Sequence, residues 1–93
     1  MTPEYRIETE ERIKEYLSKY EKNEIINIKC EITFNDLGAE VNVWNVKTKG
    51  ESYWVVEGEE APMNLYTQGA NYLSADEAYS YHMGITQRLS ADY

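Results

Sequence analysis

Hydrophobic and polar positions change their spacing several times along the chain, and the first spacing is that of a helix. Residues suited to a buried face recur every three or four positions: Tyr5, Thr9, Ile13, Tyr16, Leu17 and Tyr20. Thr2 can cap the start, and Pro3 fits the first helical position because proline lacks an amide hydrogen that would have no partner there. The pattern therefore predicts a helix over about residues 3 to 21.

The next stretch has a period of two, which is typical of a strand with one buried face. In EIINIKCEITF, residues 24–34, one side carries Ile26, Ile28, Cys30, Ile32 and Phe34. After the turn sequence NDLG, the runs AEVNVWNVKT and ESYWVVE predict two more strands. These strands meet at Lys49 and Gly50, where glycine could supply the positive φ of a tight hairpin. We expect an antiparallel meander.

Both faces of the predicted hairpin carry apolar side chains. With a two-residue loop, Trp44 pairs with Val55. The same loop pairs Val46 with Tyr53, whereas a three-residue loop brings Trp44 and Trp54 onto one face. Two helices could cover one face each, or both could pack on one face and leave the other for a partner. We expect the second arrangement.

The segment EEAPMNLYTQGANYLS, residues 59–74, has no single period. Within it, Met63, Leu65 and Thr67 alternate with polar or aromatic residues as a short strand would. Pro62 suits the first position of an edge strand, because proline cannot donate to a ladder. We expect an edge strand followed by a turn, and a flexible binding loop is the alternative.

The sequence SADE begins a final helix with a capping box, since Ser74 can accept from the backbone while Glu77 reaches back to the serine amide. One face of this helix then carries Ala78, Tyr81, His82, Ile85 and Leu89. The elements predict a single α+β domain over residues 1–93, with an N-terminal helix, a three- to four-stranded antiparallel meander and a C-terminal helix. Both helices are expected on one face of the sheet. The expected core comprises Ile13, Leu17, Ile28, Cys30, Ile32, Val43, Val56, Ile85 and Leu89.

The order helix, three strands, helix resembles that of double-stranded RNA-binding domains over most of the chain. Those domains carry a lysine cluster at the start of the second helix to meet phosphates. The second helix here opens with Ser74, Ala75, Asp76 and Glu77. Affinity for nucleic acid depends largely on neutralising phosphates. We therefore expect no direct nucleic-acid binding.

Charge and cysteine content restrict the partners and the location. Nine Lys and Arg residues against seventeen Asp and Glu give a net charge of -8, which repels phosphate backbones and anionic membranes and favours basic partners. Cys30 is the single cysteine, and the first residues lack the pattern of a secretory leader. No apolar run reaches the roughly 18 residues of a membrane span. We expect a cytoplasmic protein that does not insert into membranes.

Few residues have the chemistry of an active site. His82, the only histidine, could be a general base or a metal ligand, but its place on an apolar helix face favours a structural imidazole. Cys30 lies among isoleucines, where burial would raise the pKa of its thiol. The motifs CxxC, HExxH and GxSxG are absent. We expect no enzyme activity, no catalytic residue and no cofactor.

Acidic residues around the 59–74 segment could converge on a hard cation if the segment folds back. They are Glu57, Glu59, Glu60, Asp76 and Glu77. The alternating spacing of a calcium loop is missing, and paired carboxylates in a chain with 28% charged residues are usually solvated. No metal site is expected.

A small acidic module for protein interaction or regulation is the class that fits best. The residues expected to bind are Trp44, Val46, Tyr53, Trp54, Asn64, Tyr66, Gln68, Asn71, Tyr72 and His82. A sheet face left bare by the helices could support a homodimer, because aromatic side chains are enriched in interfaces. The alternatives are an acidic mimic of nucleic acid that inhibits a basic partner, and a domain that binds a small molecule or metal through residues 62–82.

Overall fold

In the described part of the chain, four antiparallel strands form one sheet, with one helix before them and one after. The computed structural model describes residues 1–36, 38–58, 63–69 and 74–91, and the side chains of 1–35, 38–58, 63–69 and 74–84. The elements are α1 (Pro3–Leu17), β1 (Ile25–Asp36), β2 (Ala39–Thr48), β3 (Ser52–Gly58), β4 (Asn64–Thr67) and α2 (Ala75–Ala91). The strands lie in the order β1-β2-β3-β4. The predicted α+β class, the meander and the fourth strand at the sheet edge are confirmed.

Both helices begin with the caps that the sequence predicts. The amide of Tyr5 donates to Thr2 Oγ1 at 3.1 Å. The Glu77 amide donates to Ser74 Oγ at 3.2 Å, and the Ser74 amide donates to Glu77 Oε1 at 3.4 Å. These bonds give partners to amides that the first turn of a helix leaves unbonded.

Helix α1 ends at Leu17 rather than at about residue 21. The hydrogen-bond spacing shortens there, because the amide of Tyr20 donates at 2.9 Å to Leu17 O, three residues back instead of four. The Ser18 hydroxyl donates to Glu15 O at 2.6 Å and so satisfies a carbonyl at the helix end. Tyr20 therefore lies beyond the helix.

The helices cover opposite faces of the sheet, so the prediction that both lie on one face is wrong. Ile13 of α1 packs in a cluster with Trp44, whereas Ala78 of α2 packs in a cluster with Val43. Val43 and Trp44 are consecutive in β2, so their side chains point to opposite sides, here termed the α1 face and the α2 face. Since β2 and β3 are apolar on both sides, one helix on each face buries more apolar surface than two helices on one face.

Strand β1 changes faces along its length, so the prediction that its apolar residues share one side is wrong. Ile28 and Cys30 pack on the α1 face, but Ile32 and Phe34 pack on the α2 face. The pairing register of β1 with β2 shifts around Ile26 and again between Cys30 and Ile32. Each shift inserts an unpaired residue and reverses the alternation. Ile26 is left exposed.

The β2–β3 hairpin has the register of a two-residue loop. Trp44 lies opposite Val55, and the flanking pairs follow the same register. The prediction of a positive φ at Gly50 is wrong. A Cβ at Gly50 would meet the side-chain amide of Asn23, so glycine leaves room for the chain between α1 and β1.

The expected core is present on both faces of the sheet. Ile13, Leu17, Val43 and Val56 are buried. Ile28, Cys30 and Ile32 are partly buried against these clusters. The side chains of Ile85 and Leu89 lie outside the described residues.

Candidate functional site

Trp44, Val46 and Trp54 were expected to bind a partner through a bare face of the sheet. In the structure, the chain's own helices cover them. Trp44 and Val46 are fully buried on the α1 face. Trp54 is buried on the α2 face. The bare sheet face through which a homodimer was expected is therefore covered. The homodimer itself stays a prediction. Asn71 and Tyr72 lie outside the described residues.

Three expected binding residues meet between β4 and α2. His82 is buried, and its Nδ1 lies 3.2 Å from Asn64 Nδ2 and 3.1 Å from the hydroxyl of Tyr66. Burial lowers the pKa of His82. Tyr81 packs edge-on against Tyr66 with ring centroids 5.7 Å apart. The imidazole of His82 is thus buried and hydrogen-bonded between α2 and the sheet, as the structural interpretation of the sequence predicts.

Gln68, another expected binding residue, is bonded within the fold. Its Nε2 donates to Asn45 Oδ1 at 2.8 Å and to the Tyr53 carbonyl at 3.0 Å. These bonds attach the end of β4 to β2 and β3. Gln68 therefore positions β4.

A groove of about 420 Å³ lies on the α1 face, between the end of α1 and β4. It is lined by Tyr16, Tyr20, Tyr53, Asn64, Leu65 and Thr67. The rings of Tyr16 and Tyr20 have centroids 5.4 Å apart and are inclined by 52° to each other. Of these residues, the sequence pointed to Tyr53 and Asn64 as binding residues. The helical spacing of Tyr16 and Tyr20 indicates a buried face, so nothing in the sequence indicated that both residues line a groove.

A second cavity of about 210 Å³ adjoins the groove and shares Tyr16 with it. Arg12, Lys19, Glu15 and Met63 complete its lining. Two of these residues are basic and one is acidic, so the Met63 end of the combined surface carries a net positive charge in an otherwise acidic protein.

The other end of the groove is acidic. Glu21 Oε2 accepts the Tyr53 hydroxyl at 2.8 Å, while its Oε1 accepts the Asn23 amide at 3.0 Å. The bond from the Asn23 amide and then that from Tyr53 lower the pKa of Glu21 to about 2. Burial and then Glu21 raise the pKa of Tyr53 to about 12. Glu51 adds a second carboxylate at this end, where its Oε1 accepts the Gly69 amide at 3.2 Å.

The bond between Tyr53 and Glu21 should make stability depend on pH at both extremes. The raised pKa of Tyr53 means that its contribution is complete below the ordinary value of 10.0 and is lost as the pH rises towards about 12. The lowered pKa of Glu21 means that its contribution is complete above 4.5 and is lost as the pH falls towards about 2. In urea unfolding, the stability difference between the wild type and Tyr53→Phe should therefore shrink from pH 10 to 12. A difference that stays constant over this range would contradict the assignment.

Among the residues that the structure describes, β4 is the last strand of the sheet and pairs with a neighbour on one side only. The amide of Gln68 donates to Ser52 O at 2.9 Å, so the ladder bonds of β4 to β3 fall at every second residue. The backbone amide and carbonyl groups of Leu65 and Thr67 consequently point away from β3, beside the groove. An unpaired edge of this kind can accept a further strand.

The opposite edge of the sheet is less suited to pairing. Two register shifts interrupt β1, and it carries the exposed charged residues Lys29 and Glu31. Bulges and charges are devices that hinder the addition of a strand. The residues Asn64–Thr67 pair with β3 without a register shift and include no charged side chain. The two edges therefore differ, and β4 is the more accessible one.

A buried polar network on the α1 face was not indicated by the sequence. Glu57 is fully buried, and its Oε1 accepts bonds from Asn42 Nδ2 at 2.8 Å and from Trp44 Nε1 at 2.9 Å. Its Oε2 accepts the Tyr5 hydroxyl at 2.8 Å. Thr33 extends the network, because its hydroxyl donates to Asn42 Oδ1 at 2.7 Å. Glu57 thus links the start of α1 to the sheet.

This placement separates Glu57 from the acidic residues with which it was grouped as a potential cation site. Asp76 and Glu77 are exposed at the start of α2, which covers the other face of the sheet. Glu59 and Glu60 lie outside the described residues. The available signal for the network was the alternation along β3, which puts Glu57 on the same face as Tyr53 and two positions beyond Val55.

Cys30 is partly buried beside this network, with its Sγ 3.8 Å from Thr33 Oγ1. Burial raises the pKa of its thiol, as the sequence predicts. Within the described ranges, no three side chains of His, Cys, Asp or Glu are grouped so that they could hold a metal ion.

Comparisons with protein-family models, curated proteins and solved structures find no match for the chain. The resemblance to double-stranded RNA-binding domains therefore stays one of element order alone. Neither helix, as far as its residues are described, is long and apolar enough to cross a membrane.

Proposed function

We propose that this protein is a non-catalytic interaction module that binds an extended segment of a partner protein along β4. The observation that carries the proposal is the open edge at Leu65 and Thr67, which lies directly beside the groove of the α1 face. In strand addition, backbone hydrogen bonds supply affinity, and pockets for alternate side chains supply specificity. The open edge of β4 would supply the backbone hydrogen bonds, and the groove would receive the alternate side chains.

The packing around β4 favours a surface that is already formed before binding. Leu65 and Met63 pack against the cluster on the α1 face, and Asn64 and Tyr66 contact His82 on the α2 face. Gln68 attaches the end of the strand. A preformed edge loses less conformational entropy on binding than a mobile one.

Charge favours a basic partner segment. The chain has a net charge of -8, and the carboxylates of Glu21 and Glu51 lie at the Thr67 end of β4. The same charge opposes the pairing of β4 with β4 of a second copy.

A cytoplasmic location is part of the proposal. It rests on Cys30 as the single cysteine, which allows no disulfide within the chain.

The test uses Thr67→Pro, which removes an amide hydrogen from the open edge without removing a bond to β3. A phage-displayed library of random peptides supplies the probe, and the affinity of a selected peptide is measured by calorimetry. We expect Thr67→Pro to weaken binding about tenfold, the effect of losing roughly one hydrogen bond at a well-packed strand. The selected sequences should alternate apolar and polar residues and include Lys or Arg.

Thr67→Val is the matched control, because it keeps the backbone amide and the branched shape and should bind as the wild type does. If Thr67→Pro and Thr67→Val bind the peptide equally well, strand addition at β4 is refuted. Selection of no peptide at all would also refute the proposal. Sedimentation of the free protein detects the other occupant, a second copy at this edge.

A further inference from the structure

We propose that the tyrosine-lined part of the groove binds the ammonium group of a lysine side chain, at the position of the added strand that lies opposite Thr67. The source of this cation rests on the proposed function, since the lysine belongs to the partner segment. The site itself is formed by Tyr16, Tyr20 and Tyr53. It gives the interaction a preference for one residue type at one position.

The geometry of the rings suits a cation. Tyr16 and Tyr20 line the groove with their rings inclined by 52° and their centroids 5.4 Å apart, and Tyr53 lines it as well. The face of an aromatic ring carries negative charge and attracts a cation within about 6 Å of the ring centre. A volume of about 420 Å³ leaves room for an alkylammonium side chain and its water.

A fixed carboxylate strengthens the preference for positive charge. Glu21 accepts the hydroxyl of Tyr53 on one oxygen and the backbone and side-chain amides of Asn23 on the other. These bonds hold the negative charge beside the rings before any ligand arrives, so little reorganisation is needed on binding. None of the six residues that line the groove is basic. An anion would be repelled by the carboxylate of Glu21 and by the π-electrons of the tyrosine rings, so the groove favours a cation.

The strand pairing defines which residue of the partner enters. Thr67 lies opposite Tyr53 on the α1 face, and directly opposed residues of paired strands share a face. A residue opposite Thr67 on an added strand therefore presents its side chain to the groove, whereas its two neighbours point to the α2 face. Arg12 and Lys19 outnumber the single carboxylate of Glu15 in the adjoining cavity at the Met63 end, and this net positive charge disfavours a second lysine there.

The first experiment tests the site without the partner. N-acetyl-lysine methylamide is titrated into the protein and followed by the ring resonances of the tyrosines, with the Nε-acetylated compound as the neutral control. We expect shifts at Tyr16, Tyr20 and Tyr53 with the cation only. Tyr20→Leu should abolish them, whereas Tyr81→Leu, which removes a similarly exposed tyrosine of α2, should leave them intact (exposed fractions 64% and 59%).

The second experiment uses the selected peptide with the lysine opposite Thr67 replaced by norleucine. Affinity should fall about 2- to 30-fold, the range that corresponds to one cation–π contact. Glu21→Gln should weaken the lysine peptide more than the norleucine peptide. Glu8→Gln removes the same charge at an exposed position near the start of α1 and should affect both peptides equally.

The outcomes separate the two proposals. If norleucine binds as well as lysine while Thr67→Pro still weakens binding, the cation site is refuted and strand addition stands. If no peptide binds but N-acetyl-lysine methylamide shifts the tyrosines, the cation site stands and strand addition is refuted. Equal shifts with the neutral compound would overturn the cation site.

Discussion

Replacing Glu57 with leucine is expected to lower the free energy of unfolding by about 2–4 kcal/mol. The substitution leaves the buried donors Asn42 Nδ2 and Trp44 Nε1 without their acceptor. Each unsatisfied buried donor costs about 1–3 kcal/mol. Removal of a buried carboxylate recovers part of this cost, because the charged group no longer has to be desolvated. Urea unfolding, followed by tryptophan fluorescence, measures the difference.

Glu57→Gln is the informative companion variant. Its amide oxygen can still accept from Asn42 and Trp44, and its amide group can donate to the hydroxyl of Tyr5. We expect a loss of about 1 kcal/mol, since hydrogen bonds to a neutral acceptor are weaker than those to a charged one. Glu40→Leu makes the same chemical change at an exposed position of β2 and should alter stability by less than about 0.5 kcal/mol. If leucine and glutamine at position 57 are equally stable, the network does not stabilise the fold.

Replacing Ile13 with alanine is expected to cost about 2–5 kcal/mol, the range for deletion of a fully buried aliphatic side chain. Ile13 has no exposed surface and packs with Leu17 and Trp44, so its removal opens a cavity between α1 and the sheet. The same unfolding measurement tests this expectation. It also tests whether α1 covers the face of the sheet that carries Trp44.

Ile7→Ala is the matched control on the same helix. The side chain of Ile7 is 56% exposed, so its truncation should change stability by less than about 0.5 kcal/mol. Alanine also favours the helix slightly more than isoleucine does. Equal losses for Ile7→Ala and Ile13→Ala would contradict the packing of α1 on this face.

Part of the candidate site could be predicted from local sequence. Met63, Leu65 and Thr67 alternate as an edge strand should, and β4 forms at that place. The groove beside it could not be predicted, because Tyr16 lies in α1 and Tyr20 just beyond its end, far from β4 in the chain, and their spacing indicates only a shared face. That this face ends next to β4 depends on the packing of α1, which no local pattern specifies.

The sequence by itself determined the order of the elements and both helix caps and favoured the edge strand, because each depends on residues a few positions apart. It left a two-residue and a three-residue hairpin loop open, and the strand pairing of the folded chain decided for two residues. Only the tertiary structure decided which face each helix covers, since β2 and β3 are apolar on both sides and local spacing favours neither. It also decided where β1 changes faces, because a bulge depends on the partner strand. The tertiary structure also decided the network of Glu57. Tyr5, whose hydroxyl donates to Glu57, lies 52 positions away in the chain, and only folding brings the two residues together.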